Sequence, residues 1–269
     1  MIKENIAWKA NLPIQVLIAD IKEWPIHFHN DIEVIYVLKG SVNIKSGGYA
    51  YRLASGDIFI VNANEIHSIE EDAEENMVFC CHINKEYFTR YYPELENRFF
   101  FIGSKMQHSE GTEILRDRIN QAMLEIMEKG RHYKDKVVET THNMVAHMLA
   151  SFSYSLEEGE QEERSGSKVL TRRLIRIMNY ICKNYSRKLT LNEIAERENL
   201  SIYYLSHIIK EYTGMSFQDF LNYLRAHEST ALLTGTSKKI SVIAEEMGFS
   251  AVRYYTKHFE ISYGITPQE

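Results

Sequence analysis

The chain has 269 residues, 44% of them apolar and 25% charged, so one large domain or two ordinary ones with a substantial core are expected. No apolar run is long enough to span a bilayer, the N-terminus has no secretory h-region, and the three cysteines (Cys80, Cys81, Cys182) form no CxxC pair. This excludes a membrane span, a disulfide framework and a cysteine zinc site, and predicts a reduced, cytoplasmic chain. The net charge of −6 is uneven: residues 168–269 carry 14 Lys+Arg against 10 Asp+Glu, and residues 1–167 carry 17 against 27. A polyanionic partner would therefore meet the C-terminal part.

Residues 14–83 are predicted to be β. "EVIYVL", "SVNIK" and "DIFIV" are short β-branched and aromatic runs, punctuated by turns at "KGS", "SGGY" and "ASGD", a pattern of sandwiches and barrels. Within "PIHFHNDIEVIYVLKG", His27, His29 and Glu33 stand at even offsets. If the stretch is extended, all three point to one face, whereas Tyr36 has the opposite parity and faces away. Three readings fit: a metal site, a small-molecule pocket, or the polar mouth of a barrel.

Between 113 and 152 the period becomes helical. Leu115, Ile119, Ala122, Met123, Ile126 and Met127 form one stripe, and Val137, Val138, Thr141, Met144, Val145, Met148, Leu149 and Phe152 a second. Such stripes either cover the β domain or pair with a second subunit. "SLEEGEQEERSGS" (155–167) is acidic and contains Gly and Ser, the composition of a linker. The predicted division is a domain over 1–155, a linker over 156–167 and a second domain over 168–269.

The remainder is helical and repeats itself. "EIAERENLSIYYLSHII" and "VIAEEMGFSAVRYYTKHF" share a layout. A small residue (Ala195, Ala244) permits close helix approach, and Asn199 or Gly248 suits a left-handed turn. A serine N-cap then follows (Ser201, Ser250), and a second helix carries the apolar anchors. Thr190 with Glu193 forms a capping box, and Ser216 and Gly235 bound the connecting helix. This is helix-turn-helix grammar, written twice.

Residues 168–269 resemble the DNA-binding domain of the AraC/XylS family of transcription regulators. The resemblance rests on "LSIYYLSHIIKEYTGMSFQDFLNYLR", "ALLTGTSKKISVIAEEMGFS" and "YYTKHFEISYGITP". It implies that both second helices enter successive major-groove segments of double-stranded DNA. The family's reading positions fall here on Tyr203, Ser206 and His207 of the first unit and Val252, Arg253, Thr256 and Lys257 of the second. Arg253 suits bidentate reading of guanine, Val252 a thymine methyl, and Lys210 a phosphate. Ser229 departs from the family, which often has alanine there.

"HFHNDIEVIYVLKG" also resembles the first cupin motif, at His27, His29, Glu33 and Gly40, and the stretch from Gly56 to His67 the second, with Asn62 and Asn64 in place of the usual Pro and Gly. The resemblances imply an α+β chain: an N-terminal cupin-like β-barrel with two flanking dimerisation helices, then an all-α tandem helix-turn-helix domain. They imply a non-enzymatic, sequence-specific regulator, an activator acting with RNA polymerase, as a homodimer. A small-molecule effector such as a sugar would be bound by His27, His29, Glu33, His67 and Trp24. The alternative is a metal-dependent cupin enzyme or a metal-sensing regulator, with His27, His29, Glu33 and His67 holding a divalent transition metal such as Mn, Fe, Ni or Zn.

Overall fold

A computed structural model describes residues 1–6, 8, 12–72, 75–157 and 166–268. It divides into two compact units, Ile2–Ile175 and Arg176–Glu269. Most of the expected linker (158–165) lies outside the described residues.

Among the described residues, nine strands precede the first helix of the first unit: β1 (Ile2–Lys3), β2 (Ile14–Ala19), β3 (Glu23–Phe28), β4 (Ile32–Lys39), β5 (Ser41–Ser46), β6 (Tyr49–Ala54), β7 (Ile58–Val61), β8 (His67–Glu71) and β9 (Met77–Ile83). They form two sheets, one ordered β1-β3-β8-β5-β6 and the other β2-β9-β4-β7. Neither sheet closes among the described residues, which corrects the expected cupin-like β-barrel to two open sheets. Closure requires hydrogen bonds between edge strands. Here β1 and β6 edge one sheet, and β2 and β7 the other.

A helical layer completes this unit. Helices α2 (Glu110–Glu128) and α3 (Tyr133–Phe152) follow the short α1 (Lys85–Thr89) and β10 (Arg98–Phe100), and β10 pairs with β11 (Ser153–Ser155). Val34 and Tyr36 of β4 share a core cluster with Leu115, Ile119, Val137, Met144 and Phe152. Ile35 and Val37 share another with Val42, Ile44 and Ile69 of the five-stranded sheet. The β4 run "IEVIYVL" is apolar almost throughout because both faces of its sheet are covered, and Tyr36 faces the helices as its parity predicts. The two helical stripes thus mainly cover the sheet, although Leu124 and Met127 stay 58% and 68% exposed.

The turn after β4 requires a glycine. Gly40 has φ +73°, and a Cβ there would stand 2.3 Å from the Glu75 carbonyl oxygen.

In the second unit, beyond α4 (Gly166–Asn184), α5 (Leu191–Arg197) and α6 (Ile202–Thr213) form one hairpin and α8 (Ile240–Glu246) and α9 (Val252–Tyr263) the other, joined by α7 (Phe217–Gly235). The Thr190, Ser201 and Ser216 hydroxyls accept from backbone amides three residues on, as capping predicts. The second unit of the repeat differs: α9 is capped by Ala251 without a side-chain hydrogen bond, so Ser250 is not its N-cap. Asn199 (φ 53°) and Gly248 (φ 79°) make the left-handed turns. Ser229 is fully buried and accepts from the Tyr255 hydroxyl at 2.9 Å, which gives its departure from alanine a structural use.

Candidate metal centre and DNA-reading helices

The histidine motif is not one extended strand. β3 ends at Phe28, the chain turns through His29–Asp31, and β4 begins at Ile32 in the other sheet. His27 and Glu33 therefore lie on facing sheets and converge across the interior. His67, at the start of β8, is the direct register partner of His27.

The ligand atoms of His27, His29, Glu33 and His67 lie within 4.8 Å of one another, and all four residues are buried. Each imidazole is anchored from behind. His27 Nδ1 donates to the Pro25 carbonyl, His29 Nδ1 to the Asp31 carbonyl and His67 Nδ1 to the Glu65 carbonyl, each at 2.9 Å. A carbonyl oxygen only accepts, so each Nδ1 carries a hydrogen and each neutral ring presents an Nε2 lone pair. Glu33 Oε2 then lies 3.3 Å from His29 Nε2 and 3.1 Å from His67 Nε2. Three ring lone pairs and a carboxylate share one dry space without a donor. A cation satisfies this set, either a proton on an imidazole or a metal ion. Carbonyl anchoring of metal-ligating histidines is the usual outer support of such centres.

The electrostatics agree. Burial, with His67 next, pushes the His27 pKa down to about 3. Burial also lowers His29, but the Glu33 carboxylate outweighs it and raises that pKa. For Glu33, burial opposes ionisation, yet the facing His29 and His67 hold the group well below the usual carboxylate range.

A turn built for the purpose presents His67. Asn64 takes the left-handed conformation (φ 63°) that the usual glycine would supply, and its amide donates to the His29 carbonyl at 2.7 Å. Glu65 accepts from the Asn62 amide, the Asn62 side chain and the Ser46 hydroxyl. The Asn62 carboxamide also pairs with both backbone groups of Phe100, at 2.6 and 3.0 Å. Asparagine at 62 thus ties the site to β10, which the usual proline could not do.

Two residues that sequence reasoning missed complete the surroundings. His82 is the register partner of Glu33 on β9, with its Nε2 3.8 Å from Glu33 Oε1 and its Nδ1 buried without a hydrogen-bond partner among the described residues. Burial lowers its pKa to about 4. The signal for it was one histidine in the apolar run "VFCCHI". Glu4, just after β1, puts Oε2 3.4 Å from His27 Nε2, and nothing in the sequence pointed to it. Trp24 lines a cavity of about 10 Å³ beside Glu4, His27, Glu33 and His82.

On the helix-turn-helix unit, α6 buries Leu205, Ile208 and Ile209 and exposes Tyr203, Ser206, His207 and Lys210, which follow a spacing of three, one and three along a single face. α9 buries Tyr255 and Phe259 and exposes Val252, Arg253 and Lys257, with Thr256 half-buried. The Arg253 guanidinium rests 4.9 Å from the Tyr254 ring centroid.

The model for an AraC-like ligand binding domain matches residues 22–175, more than half of the chain, and a helix-turn-helix domain model matches residues 194–269. The chain belongs to the AraC family. It is therefore a sequence-specific DNA-binding regulator of that family. It is 24% identical to the transcriptional activator RhaS of Pectobacterium carotovorum over 91% of this chain and 86% of that one. It is 22% identical to the activator RhaR of Yersinia pseudotuberculosis over 90% and 83%. Among solved structures, the C-terminal domain of AraT, a response regulator from Geobacillus stearothermophilus, is 35% identical over 36% of this chain and 80% of that chain, with a TM-score of 0.34.

For this AraC-family regulator, one functional expectation needs correction. The exclusion of enzymatic activity does not stand, because a convergent His27/His29/Glu33/His67 set is also what metal-dependent catalysis uses. Among the described residues, no helix is long and apolar enough to cross a membrane.

Proposed function

We propose that this regulator senses a divalent transition metal. His27, His29, Glu33 and His67 would hold the ion, and its binding would favour one global state of the chain in which α6 and α9 engage DNA differently. The observation that carries the reading is the set of three imidazoles locked by backbone carbonyls with their Nε2 atoms turned onto one carboxylate. A sugar effector is disfavoured by size: the cavity of about 10 Å³ beside the cluster is water-sized. Trp24, at its edge, closes the space rather than offering a stacking platform for a ring.

The finer assignments follow from this reading. Tyr203, Ser206 and His207 would read bases in one major-groove segment, Val252, Arg253, Thr256 and Lys257 in the next, and Lys210 would hold a phosphate. The division into a sensor over 1–155, a linker over 156–167 and a DNA-binding domain over 168–269 goes with it. RhaS and RhaR are named activators, which supports activation with RNA polymerase as the output. Ile114, Leu124 and Met127, exposed on α2, suit contact with a second copy of this chain.

The test is metal-dependent DNA binding. The purified chain, stripped by chelation and reloaded with Mn, Fe, Ni or Zn, should take up one equivalent and change its affinity for its own promoter DNA. Absence of stoichiometric uptake, or identical DNA affinity with and without the ion, would refute the proposal.

A further inference from the structure

The N-terminal strand brings an unassigned carboxylate to the cluster. β1 pairs in parallel with β3 through Ile2↔His27 and Lys3↔Phe28, and the Glu4 amide donates to the Phe28 carbonyl at 2.8 Å. This register sets Ile2 opposite His27 and brings the side chain of Glu4, two residues on, to the His27 ring, with Oε2 3.4 Å from Nε2. Among the described residues that oxygen is shielded from solvent and meets no hydrogen-bond donor, while the Trp24 side chain hydrogen-bonds the same carboxyl group. His27 Nδ1 is committed to the Pro25 carbonyl, so Nε2 is a second acceptor. Two acceptor lone pairs facing each other in a dry space repel unless a cation stands between them. The water-sized cavity bounded by Glu4, His27, Glu33 and His82 is where these groups meet.

We infer that Glu4 is a fifth donor to the metal ion, an inference that rests on the metal-sensing reading above. Three imidazoles and two carboxylates make a harder donor set than His27, His29, Glu33 and His67 alone, shifted toward ions that favour oxygen, such as Mn or Fe, and away from thiolate-seeking ones. The position of Glu4 adds a consequence. β1 has only two residues and lies at a sheet edge, and so short a strand has few ladder hydrogen bonds to hold it. Ligation through Glu4 makes metal occupancy an added tether for the first residues, so the ion and the β1–β3 pairing stabilise each other.

The test uses the full chain and cobalt(II) as the probe ion, followed by its visible absorption. The wild type should bind one equivalent, and Glu4→Gln should bind at least ~10-fold more weakly, with the more intense bands of a lower coordination number. A second readout needs no variant: hydrogen exchange at the Glu4 amide of the wild type should slow when cobalt is added. Unchanged cobalt affinity and spectrum in a folded Glu4→Gln chain would overturn the fifth donor while leaving the four-residue site intact. If that variant does not fold, the amide decides: exchange unaffected by bound cobalt rejects the inference. A wild type that binds no cobalt, manganese or iron brings down this inference and the metal-sensing reading together.

Discussion

The two functional regions of this chain are built in opposite ways. The DNA-reading face is local and exposed: each side chain stands on one helix, held by buried anchors one or two residues away, such as Leu205 beside Tyr203 and Ile208 beside His207. The metal centre is non-local and buried. Its donors come from β3, the turn after it, β4 and the start of β8, and the groups around it from β9 and the residue that follows β1. Exposed contacts add up in small, nearly independent increments. A buried, mutually satisfied set behaves as a unit, because removing one member leaves the others uncompensated. Substitutions should therefore sort by region, with large coupled losses in the first unit and modest separable ones in the second.

The sharpest break is Glu33→Ala. Glu33 faces His29 and His67 closely and His82 at 3.8 Å. Its removal should abolish stoichiometric metal binding by calorimetry and cost about 3–5 kcal/mol in urea unfolding. Metal uptake matching the wild type would remove Glu33 from the site. Acidity probes the same set. His27 and His82 are held neutral in the fold, with pKa values of about 3 and about 4, against an ordinary value near 6.5. Between those values His27 and His82 bind more protons in the unfolded chain than in the folded one, whereas His29, raised by the facing Glu33 against burial, and Asp31, raised by burial to about 6, do the reverse. The His27 and His82 contribution to the stability of the metal-free chain should therefore fall as pH drops from about 6.5 toward 4, and metal affinity should fall with it. A His27→Gln, His82→Gln chain whose stability relative to the wild type did not change from pH 7 to 4 would contradict the neutral, buried imidazoles.

Asn62→Ala tests whether the shell around the site is as coupled as the site. It would orphan the Phe100 amide and carbonyl and strip two donors from Glu65 only in part, since the Asn62 backbone amide remains. A loss of about 1–3 kcal/mol in thermal or urea unfolding is expected. A metal affinity about 10–100-fold weaker should accompany it, because Glu65 supplies the carbonyl that orients His67. Lost stability with unchanged metal affinity would show that the shell does not reach the donors.

The same contrast explains what could be read from sequence. Helix-turn-helix grammar is written in neighbouring residues, so Asn199, Ser201 and Gly248 announced their turns and caps correctly. The one slip there, Ser250 as a cap, came from copying the first repeat onto a second that has one more residue before its helix. His27, His29, Glu33 and His67 were also legible, but for a reason that did not hold: they meet because the chain crosses between sheets after Phe28, not because one strand keeps them on a face. Alternation and turn spacing cannot tell a closed barrel from two facing open sheets, because that difference lies in whether edge strands such as β6 and β7 bond to each other. Glu4 carried no signal at all, since its role is created by a pairing between β1 and β3 that only the fold brings about.

The smallest expected effects lie on the reading helices, and two variants separate their kinds. Arg253 is exposed on α9, with the Tyr254 ring and hydroxyl beside its guanidinium. Arg253→Ala should therefore leave folding untouched but cost about 1–3 kcal/mol of binding to the promoter site and relax base preference at one position. Lys210, at the far end of the exposed α6 face, should behave differently. As a phosphate contact it carries no sequence information, so Lys210→Ala should weaken binding to all duplexes about equally and reduce the slope of log affinity against log salt by about 1. Fluorescence anisotropy at several salt concentrations, on promoter and scrambled duplexes, distinguishes the two. A sequence-selective loss for Lys210→Ala would move that lysine from the backbone to the bases. A loss for both variants that also appeared in unfolding or metal binding would mean that the two regions are not separable in the way their construction implies.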